Sequence, residues 1–99
     1  MTEKQFYVYI LSNKRYGTLY IGVTSNLGKR LYEHQYKLAD GFTKKYDLKM
    51  LVYYGRHESA ESALHRERNM KEWKRDWKIR LIEEQNPNWF DLTENVMKL

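Results

Sequence analysis

The stretch "FYVYIL", Phe6 to Leu11, is apolar at every position. In an extended chain Phe6, Val8 and Ile10 point to one face, and Tyr7, Tyr9 and Leu11 to the other. A strand apolar on both faces belongs at the centre of a covered sheet, not at a wet edge. With 99 residues there is material for one domain and one core. The plan is therefore a small sheet around this strand, with helices for cover.

The rest of the chain supplies the pieces. "SNKRYG" carries turn residues and "TLYIGV" reads as a second strand, close enough to form an antiparallel hairpin with the first. A register that pairs Tyr9 with Tyr20 sets both phenols on one face; a slip of one residue separates them. "TSN" offers Ser25 or its neighbours as helix caps, and the periodicity predicts a helix from about Leu27 to Leu38 with Leu27, Leu31 and Leu38 on its apolar stripe. "ADGFTKKYD" reads as a loop, and "LKMLVYYG" as a third strand ending at Gly55. A second helix is expected from a Ser59 cap to about Lys74, with Ala60, Ala63, Leu64 and Met70 inward, followed by "WKIRLIEEQ". In "NPNWFDL", Asn86 reads as a cap and Pro87 as a first helical position, followed by one turn anchored by Trp89 and Leu92. The order β-β-α-β-α-α suits a three-stranded antiparallel sheet flanked by helices. One domain over 1–99 is expected, with a core of about 5–84, the turn at 86–92 and a short tail at 93–99.

Several function classes drop out. There is no cysteine, so no disulfide and no thiolate metal site. "HESAESALH" lacks the spacing of a zinc peptidase helix, and neither a phosphate-binding P-loop nor a dinucleotide fingerprint occurs. No signal-peptide pattern or membrane-length apolar run is present, so a cytoplasmic protein is expected. The net charge of +5 together with many aromatics suits a polyanionic partner such as nucleic acid. The run "RERNMKEWKRDWKIR" holds seven Lys/Arg against three acids, with Trp73 and Trp77 read as packed inward and the basic side chains in solvent or on phosphate.

Three ionisable residues sit out of place. Arg30 and His34 are four apart on the inward side of the first helix, and Glu67 is on the inward side of the second. Charges facing a core are costly unless paired, metal-bound or lining a cleft. Each also has a structural account: a hydrogen-bonded histidine, a snorkelling arginine, a glutamate paired with Arg66 or Lys71.

The ordered set resembles the GIY-YIG nuclease superfamily, in particular small stand-alone bacterial proteins similar to the N-terminal domain of excinuclease C. The matching residues are "YVYIL", "YIG", "TSNLGKRLYEH", "LVYY", "RERNMKEWKR", "NPNW" and "DL". The resemblance implies a DNA endonuclease or nickase with one divalent metal ion, Mg²⁺ or Mn²⁺, and a role in DNA repair or processing on branched, flapped or nicked duplex. By motif it implies that Tyr9, Tyr20, Arg30 and His34 are catalytic and that Glu67 binds the metal, with Gly22 and Asn86 as additional candidates. Arg66, Lys71, Lys74 and Arg75 are the expected nucleic-acid contacts.

The chemistry suits these residue types. A metal held by one carboxylate polarises phosphate. Arg30 supplies a fixed cation for nonbridging oxygens. A tyrosine, with a pKa of about 10, needs a nearby cation or proton acceptor to act as base. The face shared by Tyr9 and Tyr20 is expected to look toward Glu67. Val23 stands where excinuclease-type members often carry lysine, and Gly55 where close relatives often carry an acid. The alternatives are a nucleic-acid-binding module with little or no cleavage, or a basic scaffold whose tryptophans and "NPNWFDL" face a partner.

Overall fold

The computed structural model describes residues 5–36, 38 and 41–97. Its elements run β1 (Phe6–Ser12), β2 (Leu19–Thr24), α1 (Leu27–Gln35), α2 (Gly41–Tyr46), β3 (Met50–His57), α3 (Ala60–Glu72), α4 (Arg75–Gln85) and α5 (Thr93–Met97). The three strands form one antiparallel sheet in the order β2-β1-β3, so the doubly apolar strand is central. Val8, Tyr9, Ile10 and Leu11 are wholly buried.

The alternation along β1 sorts the core into two layers. Val8 and Ile10 join Ile21, Val52, Ala63, Met70, Ile82 and Trp89 under α3 and α4. Tyr9 and Leu11 join Leu27, Leu31, Leu48 and Leu51 under α1, with Leu92 and Val96 packed against them. A β-bulge lies opposite Ile10 and Leu11, where Val52 is the extra residue of β3. It lets Val52 and Tyr53, neighbours in sequence, both serve the α3–α4 layer.

Local chemistry sets the helix ends. The Asn26 side chain accepts from the Lys29 N–H, so the cap of α1 is Asn26 and not Ser25. Ser59 caps α3 through the Ser62 N–H, as its sequence predicts. The helix α1 stops at Gln35, and Leu38 lies beyond it and exposed instead of on the apolar stripe. On α3, Ala63 and Met70 are buried while Ala60 and Leu64 are exposed, because the helix touches the sheet along a narrow strip.

Four further expectations are corrected. Residues 41–46 of the expected loop are helical, fixed by Thr43 packing inward; residues 39 and 40 lie outside the described residues. The third strand continues past Gly55 to His57, because its pairing with β1 extends to Phe6. Trp77 is 49% exposed and not packed inward. The described part of the tail, 93–97, is the helix α5, whose Val96 packs with the preceding Leu92 against the Leu27–Leu31 layer.

The segment "NPNWFDL" is a turn and an edge cover, not a helix start. Asn86 ends α4, and its side-chain Nδ2 donates to the carbonyls of Val52 (3.1 Å) and Phe90 (2.9 Å) while its Oδ1 accepts from the Phe90 N–H (2.9 Å). Trp89 takes a left-handed backbone (φ 56°), which turns the chain before a helix can start. Its buried indole holds that conformation in place. Beyond it, Asp91 accepts from the Leu51 N–H and the Leu92 N–H donates to the Leu51 carbonyl. These bonds occupy backbone groups of β3 that an edge strand would otherwise leave open.

Glu83 ties three segments together. Its carboxylate accepts from Trp89 Nε1 (2.8 Å) and from the Tyr16 hydroxyl (3.0 Å) in the β1–β2 turn. The Trp89 bond first, then the Tyr16 bond, hold its pKa below the ordinary value; desolvation opposes them, and the Arg15 charge adds a still smaller lowering. A carboxylate with a lowered folded pKa adds stability above its unfolded pKa of about 4.3 and loses it as pH falls through the lower folded value. Glu83→Gln is therefore expected to lower the melting temperature at neutral pH. It should also narrow the drop between neutral pH and about pH 3, read by circular dichroism melts of both proteins across that range.

Candidate active site

The β1–β2 register places Tyr9 opposite Gly22 and Leu11 opposite Tyr20. Tyr9 and Tyr20 are therefore diagonal neighbours on one face, with ring centroids 6.3 Å apart. Their pairing is not the direct one, and the reason is Gly22. A Cβ there would lie 2.5 Å from Tyr9 Oη and 2.6 Å from Cζ, so the Tyr9 ring lies across the glycine. Gly22 is required by a close-packed ring, which the sequence alone does not reveal.

Lying across Gly22, the Tyr9 hydroxyl meets His34 Nε2 at 3.1 Å. The other ring nitrogen, Nδ1, is 3.1 Å from Thr43 Oγ1. His34 and Thr43 are both buried, so helix α1 and helix α2 each send one polar side chain into the tyrosine layer. Thr43 has no signal in the sequence: it is one threonine in a segment that reads as a loop. The Tyr20 ring centroid is 5.8 Å from that of His34 and 6.1 Å from that of Phe42, and Tyr20 is only half-buried. Tyr9, by contrast, has no exposed surface.

Arg30 lies on the same helix as His34, one turn earlier, and its side chain is 40% exposed. Its Nε pairs with Glu33 at 3.2 Å. It lines a shallow cleft with Thr24, Ser25, Asn26, Lys29 and Glu33, at the end of β2 and the start of α1. An exposed pair of this kind is weak, so the guanidinium keeps most of its capacity to bind an anion.

Glu67 is placed differently. It sits between Ala63 and Met70 on α3, the helix that covers the opposite face of the sheet, and its side chain is only 16% exposed. The tyrosine face looks toward α1, so the expectation that it looks toward Glu67 is corrected: alternation along β1 assigns Tyr9 to one layer and the partners of α3 to the other. Glu67 Oε2 pairs with Lys71 Nζ at 3.0 Å. Among the described residues no group of three His, Asp or Glu side chains is arranged to hold a metal.

The remaining candidates divide. Asn86 is buried at the β3 side of the sheet, whereas Gly22 belongs to β2 at the other edge. Arg75 Nη2 donates to the carbonyls of Tyr16 and Gly17, both at 2.6 Å, and so braces the β1–β2 turn. Arg66 lies over the Trp73 ring, 4.9 Å from its centroid. Lys71 and Lys74 are exposed. Among the described residues no helix is long and apolar enough to cross a membrane.

Comparison with known proteins gives one consistent answer. The sequence profile of the GIY-YIG catalytic domain matches residues 5–80. The chain is 35% identical over 78 residues to the UPF0213 protein SH2523 of Staphylococcus haemolyticus, covering 79% of this chain and 94% of that protein. It is 33% identical over 78 residues to the UPF0213 protein SSP2268 of Staphylococcus saprophyticus, with the same coverage of 79% and 94%. The solution structure of the UPF0213 protein BH0048 from Bacillus halodurans superposes with a TM-score of 0.57 at 27% identity, over 91% of this chain and 95% of that one.

Two substitutions test the packing at the tyrosines. Gly22→Ala is expected to displace the Tyr9 ring and cost about 1–3 kcal/mol of stability, measured by urea unfolding. Thr43→Val removes one buried hydrogen bond to His34 at nearly constant volume, with an expected cost of about 1–3 kcal/mol in the same assay.

Proposed function

This chain belongs to the GIY-YIG family of nuclease domains, and on that premise we propose that it is a metal-dependent DNA endonuclease or nickase. The observation that carries the reading is the buried contact of Tyr9 Oη with His34 Nε2 at 3.1 Å, with Tyr20 beside both. A phenol hydrogen-bonded to an imidazole is a pair between which a proton can pass.

In the proposed reaction, Tyr20 stands beside the attacking water, because it is the phenol of the two with surface to meet it. Tyr9 and His34 form the floor beneath Tyr20. In the tautomer with the proton on Nδ1, His34 donates to Thr43 Oγ1 and its Nε2 accepts from the Tyr9 hydroxyl. His34 Nε2 is then the atom that can take up the Tyr9 proton. Arg30 neutralises the nonbridging oxygens of the phosphate. The phosphate is proposed to lie past the β2 edge, where the two faces of the sheet meet and α3 comes within reach of β2.

Glu67 is the proposed metal ligand. It already stands beside a cation, the Lys71 ammonium, whose side chain is 53% exposed and is moved aside at small cost. Glu67, a single hard carboxylate, would hold Mg²⁺ or Mn²⁺. When bound, such an ion polarises the scissile phosphate and stabilises charge on the leaving oxygen. Lys71 and Lys74 are then free to meet the DNA backbone. Arg75 and Asn86 are assigned to holding the fold, since their polar atoms are already used on backbone groups. A chain with this little surface for reading bases suits structured DNA, branched or flapped, better than a defined sequence. The expected setting is DNA repair or processing in the cytoplasm.

One observation favours a second reading, a binding module that cleaves little: Glu67 is on the helix of the far layer and is paired with Lys71. Supercoiled, branched and flapped DNA with Mg²⁺ or Mn²⁺ separates the two. The nuclease reading expects cleavage by the wild type that stops on chelation and falls by about 100-fold or more in Glu67→Gln and in Tyr20→Phe. Equal cleavage by wild type and Glu67→Gln removes that site from the reaction. Salt-dependent binding without product supports the binding module.

A further inference from the structure

The strongest feature outside the tyrosine cluster lies on the outer side of α3 and α4. Arg66, Trp73, Trp77, Arg80, Leu81 and Glu84 line a groove of about 290 Å³. Trp73 and Leu81 pack inward on the core and form its floor. Trp77 is 49% exposed and meets Trp73 edge to face at 6.2 Å. Arg66 lies over Trp73. Among the described residues the Arg80 guanidinium and the Glu84 carboxylate have no ion-pair or hydrogen-bond partner, and Trp77 has no aromatic neighbour except Trp73.

We propose that this groove is a binding site for one unpaired base of a single-stranded DNA segment. An exposed indole beside arginines is the pairing that single-strand sites use: the ring takes the π-face of any base, and the cations take the flanking phosphates. The charge supports a polyanion. The segment from Arg66 to Arg80 carries seven Lys/Arg against three acids, nearly all of the chain's net +5. Glu84 orients the occupant. A carboxylate repels phosphate but accepts from a base amine, so the base edge faces Glu84 and the backbone faces Arg66 and Arg80. The volume stands at the lower end of the range for small-molecule sites, about 300 Å³ and upward, which leaves room for a single base.

The groove also has a defined place relative to the proposed metal ligand. Arg66 and Glu67 are successive residues of α3, the first lining the groove and the second turned inward. The groove and Glu67 therefore lie on adjoining sides of one helix. The inference rests on the preceding reading only in taking DNA as the partner, and it narrows that partner to duplexes with a single-stranded tail or flap.

The test measures binding without cleavage. A 5′-labelled oligonucleotide of about ten nucleotides is titrated in chelator and low salt, with anisotropy and tryptophan fluorescence read together. The expected result is binding with tryptophan quenching, weakened about tenfold by Trp77→Ala, the scale of one lost base stack, and largely kept by Trp77→Phe. An oligonucleotide with abasic positions is expected to bind as weakly to the wild type as the normal strand does to Trp77→Ala. Blunt duplex binding is expected to be the same in both proteins. Equal single-strand affinity for wild type and Trp77→Ala, equal affinity for the abasic strand, or no binding at all overturns the base site. Cleavage assays with Mg²⁺ report on the nuclease reading separately: Trp77-dependent binding by a protein that never cleaves keeps the base site and removes the nuclease.

Discussion

Val8, Tyr9, Ile10 and Leu11 have no exposed surface, and successive residues of β1 face opposite ways. Both faces of the sheet must therefore be roofed, and the chain divides its helices to do so. Those between β2 and β3 serve the tyrosine face, and α3 and α4 serve the other. With three strands there are two edges. The β3 edge is occupied by Asn86, Asp91 and Leu92, which bond to Leu51 and Val52. The β2 edge has no such segment crossing it among the described residues, and Tyr20 and Gly22 lie on that strand.

A polar cluster inside a hydrophobic layer is costly unless its members satisfy one another. Tyr9, His34 and Thr43 do so along one line, each from a different element. The line exists because Gly22 leaves room for the Tyr9 ring to lie across β2. Backbone geometry, a missing side chain and two hydrogen bonds are thus one arrangement. Changing any of them moves the phenol relative to Tyr20, which ties the fold's packing to the chemistry proposed for it.

Much of the architecture is legible in the residues. The double-sided apolarity of Phe6 to Leu11 points to the central strand, and Ser59 marks the start of α3 correctly, since a serine side chain before a helical run answers a local hydrogen-bond need. The hairpin can be read but not its register, because both candidate pairings keep apolar residues inside. Residues 41–46 and 86–89 fold otherwise than their sequence suggests. In the first, helix formation depends on Thr43 docking on His34, 9 residues away. In the second, burial of the Trp89 indole and its bond to Glu83 outweigh the local preference of Asn-Pro for starting a helix. Trp77 reads as packed because tryptophan usually is, yet α4 turns it outward beside Arg80.

Hydrophobic period and motif order are local or linear properties, and they suffice for the sheet class, the central strand, the family and the residue types that the family's chemistry needs. Which of those residues meet is set by the packing of separate elements. That packing sets Tyr9 across Gly22, joins it to His34 and His34 to Thr43, and places Glu67 in the other layer. Contacts of that kind depend on ring orientation, strand register and the side of the sheet a helix covers. None of these is encoded in the spacing of residues along one element; each is fixed when separate elements pack together.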